Sequence, residues 1–221
     1  MLLGEEKGQA ACDLHRRPYR MSVRGASFDT DYIVGVATHP ACRGRGYASE
    51  LLRGAFHMAA NEGKPFVILM PSAASYYLPM GFGFFVHQWE RKSSPEHLAP
   101  LGKKAFACRV LTGVEGWQDL ASVYDAYTKG RNGFTLRDEA SWRSHIEGQL
   151  KDGYIALVYD EKGPTGYLFY SLNARSRFVT EMAFANESGR KGLYAFMVGH
   201  RGSMDECIWY EPLDDTSFRY W

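Results

Sequence analysis

The sequence lacks most of the features that mark a membrane, secreted or nucleic-acid-bound protein. No apolar run reaches the roughly 18 residues that a membrane-spanning helix needs. The opening MLLGEEKGQA follows two leucines with charge, which is not the pattern of a signal peptide. Cysteine is scarce, with 4 in 221 residues. Cys12, Cys42, Cys108 and Cys207 are far apart and show no CxxC spacing, which argues against a zinc ribbon and against a disulfide framework. The 7 histidines show no HExxH or similar ligand spacing, so no metal is expected. Charge of one sign is also missing. The formal net charge is +1, and no basic stripe interleaves with aromatics, so neither a nucleic acid nor an anionic membrane is expected as a partner.

What is present suits an ordinary globular chain, 45% apolar and 23% charged, long enough for one large domain or two small ones. A reducing cytoplasm is the expected compartment. The polar stretch KSSPEHLAPLGKK, with two prolines and no apolar period, reads as a linker over residues 92–104. We therefore place a first domain at 1–98 and a second at 99–221.

In the first block Gln9–His15 and Pro18–Val23 read as short strands, with VRGASFD supplying a turn before the next. Asp31–Thr38 (DYIVGVAT) is apolar on consecutive positions, which suggests a strand buried on both faces. A helix is predicted from Gly46 to Glu62, with an apolar stripe at Ala48, Leu51, Leu52, Ala55, Phe56 and Ala59 and Met58 counted with Phe56 as core. Gly63 and Pro65 end it. Phe66–Met70 is a second buried strand, and strand, helix, strand in this order implies a parallel pair. The second block yields strands at Phe106–Leu111, Gly153–Asp160, Gly166–Leu172, Arg177–Phe184 and Glu206–Tyr210. It yields helices at Gly116–Gly130, Glu139–Leu150 and Arg190–His200.

The sharpest local signal is Arg43-Gly44-Arg45-Gly46-Tyr47-Ala48, between a buried strand and a helix. Glycine permits a tight turn and close approach of a ligand. The first amides of the helix have no intrahelical partner and carry the positive end of its dipole, which suits a pyrophosphate. Arg43 and Arg45 add charge-assisted donors. Tyr47 can stack on a ligand or simply pack. On its own so short a pattern also fits a plain strand-to-helix turn with solvated arginines. The spacing is not GxGxxG and no GK[ST] follows, so neither a dinucleotide fold nor an NTPase loop is supported.

Here the sequence resembles a known family. GVATHPACRGRGYASELL is similar to the GNAT acetyl-coenzyme A motif, Q/R-x-x-G-x-G/A after a strand. LMPSAASYYLPMGFGFF (Leu69–Phe85) is similar to the family's next block, a short helix ending in Tyr-x-x-x-Gly-Phe. The match extends to the Eis-like (enhanced intracellular survival) acetyltransferases, because FTLRDEASWRSHI, GYLFYSL, EMAFANESGRKGLYAFM and WYEPLDD resemble their middle domain. The resemblance implies an α/β fold of two tandem GNAT-like domains, each a mixed sheet with flanking helices, and an N-acetyltransferase that moves acetyl from acetyl-CoA to a primary amine. It implies that the backbone of Val36, Ala37 and Thr38 pairs with the pantetheine arm and acetyl group. Gly44, Arg45, Gly46, Tyr47, Ala48 and Ser49, after Arg43, would wrap the pyrophosphate. Ser72 and Ala73 would touch the cofactor, and Tyr77 would be the acid that protonates the leaving thiolate.

The residue chemistry agrees with these roles. A strand-end amide near Ala37–Thr38 can stabilise the oxyanion. A thiol titrates near 8.5 and a phenol near 10, so transfer from Tyr77 is slightly uphill unless its site corrects it. Tyr76 competes with Tyr77, and only the register to Gly81-Phe82 selects the latter. His39 is within reach as a base, although a lone loop histidine is ordinarily solvated. In the second block the nearest analogue of the loop, Gly189-Arg190-Lys191-Gly192-Leu193-Tyr194, has neither Q/R nor a small residue in register. That block is expected to bind no coenzyme A and to serve as a wall or oligomer surface. Against the family pattern the first domain is expected to be incomplete at its N-terminus, and the sterol-carrier-like domain to be absent, so the Trp221 carboxylate is not assigned as base. The alternative function is a non-catalytic CoA-binding or assembly module, and a homo-oligomer is expected in either case.

Overall fold

The computed structural model describes residues 1–102, 106–173 and 176–215. In chain order the first elements are β1 (Leu2–Glu6), β2 (Gln9–Val23), β3 (Ala26–Thr38), α1 (Tyr47–Asn61), β4 (Val67–Leu69) and α2 (Ala74–Tyr77). There follow β5 (Gln88–Ser93), α3 (Pro95–Leu98), β6 (Ala107–Leu111), α4 (Trp117–Thr128), β7 (Phe134–Thr135) and α5 (Glu139–Asp152). The remainder is β8 (Tyr154–Asp160), β9 (Gly163–Asn173), β10 (Ser176–Phe184), α6 (Glu187–Val198) and β11 (Glu206–Pro212). The chain divides into two compact units. The first is Met1–Phe85 with Arg131–Leu136, and the second is Val86–Gly130 with Arg137 onward. The second begins at Val86 because β5 pairs with β11, a partner that composition does not reveal. Residues 95–101, read as linker, form α3 and a 3-10 turn, while Lys103 and Lys104 lie outside the described residues.

The first unit is a mixed sheet in the order β1-β2-β3-β4, with β7 added on β2. Lys7-Gly8 and Arg24-Gly25, all at positive φ, make the two tight hairpin turns. β2 is one strand of 15 residues rather than two, and it runs through Pro18. Arg20 and Ser22 direct their carbonyls away from β3, toward Leu136 and Gly133. Pro18 shares their side of the strand, so its missing N–H falls on the flank away from β3 and interrupts no β2–β3 bond.

The strand β3 differs from its expected burial. Thr30, Asp31 and Ile33 are buried, but Gly35 and Ala37 are exposed and Tyr32, Val34 and Val36 are half-buried. It is covered on one face by α1, through Leu52 and Ala55 packed with Leu14 and Ile33. Met58, expected in the helix core, is instead 41% exposed, whereas Phe56 packs edge-on against Phe82 at 5.6 Å. The end of α1 is tied to the sheet by a charge network. Buried Asp31 accepts from Arg16 Nε at 2.6 Å and Lys64 Nζ at 2.8 Å, and Glu62 bridges the same two cations.

The second unit is a six-stranded sheet, β5-β11-β10-β9-β8-β6, antiparallel except for β10 beside β11. The interior of β8 is buried on both faces. Ala156 and Val158 join the core beneath α6 with Leu193 and Met197, and Ile155 and Leu157 are equally inaccessible. A half-buried charge network sits here too. Glu181 receives both guanidinium nitrogens of Arg137 at 2.7 Å, the Tyr167 hydroxyl at 2.5 Å and His145 Nε2 at 3.1 Å. The Arg137 guanidinium lies 4.4 Å from the Tyr124 ring centre and 4.7 Å from that of Trp142.

Candidate functional site

The site is made where two parallel strands stop running together. β3 and β4 pair only from Asp31 beside Val67 to Ile33 beside Leu69. β4 ends there, while β3 continues to Thr38 with β2 on its other side. Gly35 at φ 63°, with a register shift opposite it between Asp13 and His15, marks a bulge that bends this strand end. His39 N–H donates to the Ala11 carbonyl at 2.8 Å, on the β2 side. Successive residues of a strand turn their backbone groups to alternate sides. Thr38 and Val36 therefore turn N–H and C=O to the side that β4 no longer covers, where the Thr38 carbonyl also accepts from Arg43, and Ala37 faces β2. An open backbone edge of this kind can take up an amide-bearing chain as an added strand.

The loop after β3 ends in two glycines that only glycine conformation explains. Gly44 has φ 77° and Gly46 φ 85°. A Cβ on either would meet nothing within 4 Å, so no packing demands glycine and the space before the backbone is open. Gly46 is the N-cap of α1 and supplies no side-chain cap. The first intrahelical bond runs from Glu50 N–H to the Gly46 carbonyl at 3.1 Å. The amides of Tyr47, Ala48 and Ser49 precede it, at the positive end of a helix of 15 residues. The chemistry of this donor set fits a pyrophosphate.

The arginines are held by more than solvent. Arg43 Nε donates to the Thr38 carbonyl at 3.4 Å, which folds the loop back on the strand end. Arg45 is ion-paired with Glu6 of β1, and Cys42 Sγ lies 3.7 Å from the same carboxylate oxygen. Tyr47, and after it Glu6, hold the Arg45 guanidinium above its ordinary pKa. Glu6 was not legible from the sequence. It lies 39 residues from Arg45, and nothing in MLLGEEKG points to the loop. His39 has a local task, since its Nδ1 accepts from Ala41 N–H at 3.3 Å and caps the 3-10 turn Pro40–Cys42.

Tyr77 closes α2 and is buried, whereas Tyr76 is 41% exposed. Its ring meets Tyr76 edge-on at 5.0 Å and Phe82 at 5.8 Å. Gly81 at φ 90° turns the chain after it, so the Tyr-x-x-x-Gly-Phe register is one local structure. Burial, with Tyr76 adding to it, raises the Tyr77 pKa. This is the reverse of the correction expected for an acid facing a thiolate, and its effect is to keep the phenol protonated. Ser72 and Ala73 are exposed, between β4 and α2, with Ala73 the N-cap of the short helix.

The second unit has the same strand–helix–strand plan, β10–α6–β11, but the helix start is closed. Asn186 accepts from Gly189 N–H at 2.9 Å, and Glu187 places negative charge in the first turn. Gly189 leaves no open space, because a Cβ there would lie 2.0 Å from the Thr165 carbonyl oxygen. Trp221 lies outside the described residues. Among the described residues no three His, Cys, Asp or Glu side chains are grouped to hold a metal ion. Among the same residues no helix is long and apolar enough to cross a membrane.

Two α/β units, each with a parallel strand–helix–strand element in a mixed sheet, are the architecture of the acetyltransferase (GNAT) class. Residues 1–85 match one acetyltransferase (GNAT) domain family and residues 133–220 match another, so the chain is built of two GNAT domains in tandem. No curated protein matches it. A probable N-acyltransferase from Enterococcus faecalis V583 superposes with TM-score 0.81 at 19% identity, over 96% of this chain and 55% of that one. A GCN5-related N-acetyltransferase from Kribbella flavida gives 0.78 at 21%, over 95% and 52%. Eis1 from Mycobacterium abscessus gives 0.69 at 18%, over 96% and 57%. The chain thus spans about half the length of the structures it resembles. At these identities the likeness is one of fold.

Proposed function

We propose that the chain is an acetyl-CoA-dependent N-acetyltransferase of Eis-like type, acting on a small or lysine-like primary amine. The observation that carries this reading is the loop Arg43–Ser49, with two left-handed glycines before the uncapped amides of α1, beside the open edge of β3. Acetyl-CoA supplies a thioester carbonyl and a thiolate leaving group. The amides of Tyr47, Ala48 and Ser49 would hold its pyrophosphate. Val36 and Thr38 would pair with the pantetheine amides, and the Thr38 N–H is suited to take up charge on the carbonyl oxygen as the amine nitrogen bonds to carbon. Tyr77 would give its hydroxyl proton to sulfur as the C–S bond breaks, and the proton released from the amine nitrogen would pass to water, from which the phenolate is reprotonated. Exposed apolar side chains such as Met70 (81%) and Phe85 (51%) support self-association, which sedimentation of the purified chain would read directly.

The test is release of coenzyme A thiol in the presence of a panel of primary amines, for the native chain and for Tyr77→Phe. Turnover that falls by about 100-fold in the variant, within the range for a lost general acid, supports the reading. Cofactor binding without turnover on any amine would select the non-catalytic CoA-binding module instead, and the raised pKa of Tyr77, which works against proton transfer to a thiolate, is the observation that favours this second reading.

A further inference from the structure

A carboxylate sits against a loop otherwise suited to an anion. Glu6 ends β1 just after a bulge. Gly4 pairs with Cys12 but Glu5 with Ala10, so Ala11 is an extra residue on β2, and a bulge of this kind re-aims the side chains beyond it. Glu6 Oε2 then accepts from Arg45 Nη1 and lies 3.7 Å from Cys42 Sγ, reaching the loop on both sides of Gly44. The Glu6 side chain is 31% exposed and that of Arg45 50% exposed. Such a solvent-screened pair contributes little to holding the fold. Its consequence is for the charge that the loop presents.

We propose that Glu6 is an internal counter-anion of the cofactor loop, which occupies one edge of the Arg45 guanidinium and sets the affinity of the loop for pyrophosphate below what residues 43–49 alone would give. This rests on the acetyl-CoA reading of the loop. Removing the carboxylate acts twice in the same direction, because it frees donors of Arg45 and removes a like charge beside an incoming phosphate. A weak internal partner also lets the spent cofactor leave, since Glu6 retakes the guanidinium as the pyrophosphate departs.

The experiment is calorimetric titration of the native chain, Glu6→Gln, Arg45→Ala and the double variant with acetyl-CoA and, separately, with inorganic pyrophosphate, at two salt concentrations. Gln keeps the shape of Glu, and matched circular dichroism and melting would establish a common fold. Glu6→Gln is expected to bind both probes about tenfold tighter, the scale of one like-charge interaction near a surface. The gain should be more salt-sensitive than native binding and should shrink in the Arg45→Ala background, where only the removal of the like charge remains. Acetyl-CoA binding by the native chain that Glu6→Gln leaves equal or weakens would overturn the counter-anion and leave the cofactor reading standing. A gain for pyrophosphate with no acetyl-CoA binding by any protein would support the counter-anion and remove the cofactor reading. Binding of neither probe by any variant would overturn both.

Discussion

At the level of single residues, backbone conformation and protonation decide what the loop and Tyr77 can do. Gly44 and Gly46 are glycines because their φ values are left-handed, with empty space where a side chain would be. Gly46→Ala should therefore cost about 1 kcal/mol through conformational strain alone, readable as a lowered melting temperature. Gly46→Asn, which tolerates this region, should cost less. Tyr77 has its pKa raised by burial, so the phenol stays protonated through neutral and alkaline pH up to beyond 10, its ordinary value. A pH profile of kcat should then show no falling limb from this acid below about pH 10. A limb near 8 that disappears in Tyr77→Phe would contradict the raised pKa of this phenol.

At the scale of elements, the two strand–helix–strand units make opposite uses of a helix start. α1 begins on a glycine with no side-chain cap, and α6 begins on Asn186, whose side chain closes its first turn. Asn186→Ala should lower stability by about 1 kcal/mol, the ordinary loss for an N-cap, and should create no affinity for acetyl-CoA, because Glu187 and the Thr165 carbonyl against Gly189 remain. Much of this plan was legible in the sequence. The stripe of α1, the glycine turn before it and the parallel pairing of β3 with β4 all follow from local pattern and connection length. What was not legible depends on distant partners. β1 and β5 are strands because β2 and β11 pair with them, although LLGEE and QWERKS carry no strong strand pattern. The strand β3 reads as buried on both faces because DYIVGVAT is apolar, but α1 packs on one face only. The loop glycines were visible in sequence, whereas Glu6, reaching the loop from another strand, was not.

At the level of the whole molecule, each unit carries its own charge network, and that of the second is sensitive to acid. Burial pushes the Glu181 carboxyl up, but Arg137 and His145 outweigh it and hold it well below the carboxylate range. A depressed carboxyl contributes stability that is present above its unfolded pKa, near 4.5, and is lost as pH falls toward the folded value. Melting curves should therefore show the second unit weakening below about pH 4.5, and Glu181→Gln should flatten that dependence. The same variant should destabilise at neutral pH by about 3 kcal/mol, because it leaves Arg137 between Tyr124 and Trp142 without its counter-charge.

Residues 43–49 are the segment proposed to hold the pyrophosphate of acetyl-CoA. The measurement that bears on it most directly is calorimetric titration of the chain with acetyl-CoA, beside Gly46→Glu and with Gly46→Asn as the control for backbone strain. The glutamate would put a negative side chain into the open space before Gly46. Binding by the native chain and by Gly46→Asn, with none by Gly46→Glu, is the result expected. Equal binding by all three proteins, or none by the folded native chain, would contradict it.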